Sequence, residues 1–103
     1  MAKYKKFYKG NEVAVLFSPG YGSGWFTWNA NEGMIFDAEI VQAILDDDRK
    51  LAASIAEAKY DAYTGGIDQL TIEWLPKGTL FRIDEYDGSE SIITYTNENY
   101  IRA

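Results

Sequence analysis

The residues able to do chemistry are few in kind. The 103-residue chain has no Cys and no His. That removes thiolate nucleophiles and imidazole, the commonest general base. It also removes the usual ligand sets of zinc, haem and iron–sulfur sites. Carboxylates are the abundant candidates. Glu73, Asp84, Glu85, Asp87 and Glu90 gather around the final turns. Paired carboxylates do acid–base work when burial splits their pKa values. Placed at turns and strand edges, these read instead as a solvated surface. The run Asp84-Glu85-Tyr86-Asp87-Gly88 does not follow the EF-hand spacing, so no metal is expected. The serines have no His to activate them. No motif asks for a cofactor, and the chemistry reads as binding without turnover, which is not that of an enzyme.

Binding candidates are better defined. After an apolar stretch comes Ser18-Pro19-Gly20-Tyr21-Gly22-Ser23-Gly24-Trp25-Phe26-Thr27-Trp28-Asn29. Alternating glycines after a strand suggest a phosphate-binding turn. The Gly-Lys-Ser/Thr ending of a P-loop and the G-x-G-x-x-G spacing are both missing, however. Two readings stand. One is a bulged loop whose aromatics fold into the core. The other is a binding loop in which backbone amides approach a ligand while Trp25, Phe26 or Trp28 stacks on a flat ring. Arg82 lies mid-strand. It is either half of a cross-strand ion pair with Glu73 or a clamp for phosphate or carboxylate oxygens. Lys77, in the turn Pro76-Lys77-Gly78, adds a second cation or is simply exposed. The candidate ligand-binding set is therefore Tyr21, Trp25, Trp28, Lys77 and Arg82. Tyr4, Phe7 and Tyr8 interleave with Lys3, Lys5, Lys6 and Lys9, which suggests an edge strand with a basic face.

The formal charge of −6 argues against direct contact with nucleic acid, which needs a basic surface to displace counterions. It permits an acidic face, built on Asp46, Asp47 and Asp48 or on the acids from Asp84 to Glu90, that enters a basic groove of another protein. No apolar run approaches the roughly 20 residues of a membrane span, so no membrane partner and a cytoplasmic location are expected. Apolar residues at 47% and aromatics at 16% exclude a disordered chain.

The elements that must position these groups follow from periodicity. Strands are expected over residues 12–17, 70–75, 79–86 and 91–96, and the segment from Trp25 to Trp28 suggests a further short one. Asp37 is a good helix N-cap, with Phe36 and Val41 spaced as a hydrophobic staple. Helices are expected near 38–46 and 48–63, the second stopped by Gly65-Gly66. The order argues for an α+β fold in a single domain over residues 1–103, an antiparallel β-sheet with two helices packed on one face. Strand pairing is expected to be sequential across Pro76-Lys77-Gly78 and Asp87-Gly88. Leu75, Leu80, Tyr86 and Ile92 would then remain on the second face, which predicts a homo-oligomer. A pocket between subunits would pool Arg82 and Lys77 from two chains.

The aromatic glycine loop and the stretch from Trp74 to Ser91 resemble a group of small accessory proteins of tailed phages. In these, such a loop precedes two helices and a closing β-meander. The resemblance covers nearly the whole chain and carries no catalytic motif, so no functional residue transfers. It implies a phage setting in the host cell cytoplasm, and counter-defence as the role. The ligand is then a small nucleotide-like signalling molecule to be sequestered. The alternative it leaves open is an inhibitor that blocks a host defence or nucleic-acid-processing protein.

Overall fold

A computed structural model describes residues 3–95 and shows an α+β fold. Its centre is β2 (Glu12–Phe17), a run of Val, Ala, Leu and Phe suited to a pleated, buried strand. β1 (Tyr8–Lys9) and β3 (Thr71–Pro76) flank it, both antiparallel, with Val13 opposite Leu75 and Leu16 opposite Ile72. Burial is nearly continuous along β2 because both of its faces are covered. Ala14 and Leu16 pack with Ile40, Val41, Ala52 and Ala56 from α2 (Ala38–Leu45) and α3 (Arg49–Tyr60). Val13 and Val15 pack the other way, with Ile35 and Phe36 of α1 (Gly33–Phe36). Phe81 and Ile83 of β4 (Leu80–Tyr86) and Ile92 of β5 (Ser89–Tyr95) close that side.

Several expectations change at this level. Strands 12–17, 70–75 and 79–86 appear within one residue of their expected bounds, and the fourth begins at Ser89; Thr96 lies outside the described residues. The sheet, however, divides into β1–β2–β3 and a separate β4–β5 hairpin, so pairing across Pro76-Lys77-Gly78 does not occur. The cause is local. Proline has no N–H to offer, the Lys77 amide is already committed to the Asn11 carbonyl, and Gly78 takes φ +81°, which turns the chain away. β4 therefore crosses to the uncovered side of β2. Leu75 and Ile92 consequently sit in the core, and only Leu80 and Tyr86 of the expected open face are exposed.

Asp37 caps α2 by accepting from the Glu39 amide, and Asp48 caps α3 by accepting from the Leu51 amide. α3 stops at Asp61, in the left-handed region at φ +50°, well before Gly65-Gly66. The staple does not form as expected, since Phe36 and Val41 belong to opposite sides of β2. Trp25 to Trp28 makes no strand. It runs through turns in which the amides of Asn29 and Ala30 return to the Phe26 carbonyl.

Candidate functional site

The glycine/aromatic loop is a tie between distant parts of the chain. Its knot is Glu90, which is 1% exposed. Strand alternation turns Glu90 and Ile92 inward while Ser91 and Ile93 turn outward. The Glu90 carboxylate accepts from the Ser18 amide at 2.9 Å on Oε1. Its Oε2 accepts from the Trp25 amide at 2.9 Å, the Thr27 amide at 2.8 Å and the Thr27 hydroxyl at 2.7 Å. These donors replace the water a buried carboxylate loses. Glycine is required where the loop touches the hairpin turn. Gly88 has φ +84°, and a Cβ there would lie 2.4 Å from the Ser23 nitrogen.

The five candidate residues are not brought together. Trp25 is fully buried, and its indole N–H donates to the Met34 carbonyl, so its ring belongs to the core. Trp28 is 44% exposed, but its ring stacks on Tyr63 with centroids 5.8 Å apart. Asn29 braces that contact by accepting from the Tyr63 amide and donating to the Tyr63 carbonyl. Tyr21 stands 74% exposed. Lys77 lies over the Tyr8 ring at 4.9 Å. Arg82 pairs with Asp84, not with Glu73: its Nε donates to Oδ1 at 2.7 Å and Nη2 to Oδ2 at 3.1 Å. It also borders a cavity of about 180 Å³ beside Phe26, Glu32, Phe36 and Phe81.

The larger cavity lies elsewhere. The N-terminal segment runs beside the start of α2, where the Ala38 amide donates to the Lys5 carbonyl at 2.7 Å and the Lys6 backbone lies antiparallel to that of Asp37. Between this segment, α2 and α3 is a cleft of about 430 Å³ lined by Lys3, Tyr4, Lys5, Asp37, Glu39 and Lys59. Three lysines there outnumber two carboxylates, against the sign of the whole chain. Lys59 Nζ donates to Asp37 Oδ2 at 2.8 Å and to Glu39 Oε1 at 2.9 Å. Lys3 and Lys5 make no ion pair among the described residues.

Asp37 is the buried pivot of this cleft. Besides Lys59 and the α2 amide it accepts from the Tyr60 hydroxyl at 2.6 Å. Burial, with the Asp37 carboxylate beside it, pushes the Tyr60 phenol well above the usual tyrosine value. The Tyr4 phenol is raised by burial first and by Glu32 next. Hydrogen bonds to Asp37 and then Glu39 raise Lys59. Tyr4 is held in place by stacking on Phe36, with centroids 6.4 Å apart.

The cleft can therefore offer two ammonium groups to an anion, a phenol and lysine stems to an apolar body, and the second Glu39 oxygen to a hydroxyl. The alternation of lysines with Tyr4, Phe7 and Tyr8 was the signal in the sequence for this site. It is fulfilled in part as a basic edge, because Tyr8 and Lys9 pair with β2. Lys59 and Glu39, on two different helices, gave no signal that they meet. Among the described residues, no group of His, Cys, Asp or Glu is arranged to hold a metal ion. No described helix is long and apolar enough to cross a membrane. Comparison of the chain with protein-family models, with curated proteins and with solved structures returns no match.

Proposed function

We propose that the chain is a non-enzymatic binding protein that holds a small, phosphorylated, nucleotide-like ligand in the cleft between its N-terminal segment and helices α2 and α3. The observation that carries this reading is the placement of Lys3 and Lys5, without ion-pair partners among the described residues, on one cleft with Tyr4 and Glu39. Its volume of about 430 Å³ falls in the range of small-molecule sites, roughly 300–1,000 Å³. Lysine binds phosphate as a point charge. A ribose hydroxyl suits the exposed Glu39 carboxylate, and a base suits the Tyr4 ring and the lysine stems. Sequestering a signal in phage counter-defence asks for no more than binding without turnover.

Calorimetric titration with adenosine monophosphate, ADP-ribose and a cyclic dinucleotide tests the reading. At least one should bind, be recovered unchanged, and bind about tenfold more weakly or worse to the Lys3→Gln/Lys5→Gln double variant, a loss of about 1.4 kcal/mol. No binding, or equal binding by the double variant, contradicts it. A chemically altered ligand contradicts its non-enzymatic part. The second reading, a protein-blocking inhibitor, rests on exposed Leu45 and Leu51 beside the exposed Asp46, Asp47 and Asp48. That reading expects the small molecules to leave the protein untouched.

A further inference from the structure

The β4–β5 hairpin has one side turned toward the rest of the molecule and one side open. β5 lies on the inner side: the Glu90 amide donates to the Ser18 carbonyl at 2.7 Å, just beyond β2. β4 pairs with β5 and with no other strand among the described residues. The two-residue turn Asp87-Gly88, with φ +51° and +84°, makes Tyr86 and Ser89 a hydrogen-bonded pair. Alternation then aims the backbone groups of Arg82 and Asp84 at β5. Those of Phe81, Ile83 and Glu85 point away from it. An open edge of this kind is a template for another strand.

We propose that the strand it receives is β4 of a second copy of this chain, antiparallel about a two-fold axis at Ile83. The sequence of β4, Leu80-Phe81-Arg82-Ile83-Asp84-Glu85-Tyr86, is self-complementary about that point. Ile83 meets its own copy. Phe81 and the partner's Glu85 exchange backbone hydrogen bonds. On the outward face Arg82 stands opposite the partner's Asp84, and Leu80 stands opposite the partner's Tyr86. In the single chain these side chains are solvent-exposed, with Arg82 paired to Asp84 of its own strand, a contact the dimer exchanges for one to the partner's Asp84. Leu80 is 70% and Tyr86 77% exposed, and the Arg82 and Asp84 side chains are 55% and 46% exposed. Other centres with the same backbone phase fail. Centring on Glu85 sets two carboxylates face to face, and centring on Phe81 leaves Asp84 and Tyr86 beyond the overlap. The correct centre makes an isologous pair and extends a two-stranded ribbon, marginal by itself, into a four-stranded sheet.

Sedimentation equilibrium on the full chain tests this, with circular dichroism confirming each fold. The parent should sediment at twice 11.7 kDa at concentrations up to the millimolar range. Arg82→Asp and Asp84→Arg each place like charges across the two-fold axis. Each alone should raise the dimer dissociation constant about tenfold or more. Mixed together they should form a heterodimer, because positions 82 and 84 of the all-acidic variant then face positions 84 and 82 of the all-basic one. The double variant Arg82→Asp/Asp84→Arg should dimerise like the parent. A monomeric parent, single variants that dimerise normally, or a mixture and a double variant that both stay monomeric each overturn the proposal.

Discussion

A carboxylate buried without a cation survives only if protein donors replace its water. Glu90 meets that condition with three amides and one hydroxyl divided between its two oxygens. The division has a consequence for mutation. Glu90→Gln keeps the shape but turns an amide NH2 toward an N–H donor, whichever way it is oriented. We predict a loss of about 2–5 kcal/mol in urea unfolding, comparable to the roughly 3–5 kcal/mol expected for Trp25→Ala. Trp28→Ala, which removes one half-exposed ring contact, should lose about 1 kcal/mol. A Glu90→Gln variant as stable as the parent would refute the knot. The sequence showed Glu90 only as one of several acids near a turn. Its burial depends on a contact 72 residues away in the chain, with Ser18, which no local pattern reports. Trp25 was legible as either a core plug or a stacking ring, and the structure has it in the core.

At the scale of elements, the Asp37 cap joins α2 to α3 through Lys59 and Tyr60, and that junction is sensitive to alkali. Tyr60, Tyr4 and Lys59 all hold their protons more tightly in the folded chain than in the unfolded one. Their stabilising contribution is complete below the ordinary tyrosine value of 10.0 and is lost as pH rises through the higher folded values. Thermal melts should therefore fall steeply above about pH 10, and Tyr60→Phe should melt lower at neutral pH but decline less in alkali. An equal alkaline decline in the variant would count against the junction. Elements were legible where a local rule decides them: the strand over residues 12–17, the caps Asp37 and Asp48, and the Asp87-Gly88 turn. The side of the core each element would take was not. Pro76-Lys77-Gly78 marked a turn, but not that it would send β4 across to the second face of β2 instead of back along β3, and the left-handed Asp61 ended α3 without the glycine the sequence supplied farther on.

Across the whole molecule, charge and shape are unevenly placed. The chain carries −6, yet the cleft beside its N-terminal segment is rimmed by lysines. In the proposed reading, that local excess lets an acidic protein approach a phosphate. The sequence showed the lysine-rich start but drew attention to the glycines and aromatics that follow, because both a ligand loop and a core plug need them. The candidates Tyr21, Trp25, Trp28, Lys77 and Arg82 each found a separate setting, and the cleft residues come from three segments that only the fold brings together. Amide chemical-shift mapping of the labelled chain, titrated with adenosine monophosphate, ADP-ribose and a cyclic dinucleotide, tests the central claim most directly. Saturable shifts should appear at Tyr4, Lys5, Ala38, Glu39 and Lys59 and leave Tyr21 and Trp28 unmoved. Shifts centred on the glycine/aromatic loop, or none with any of the three, would contradict it.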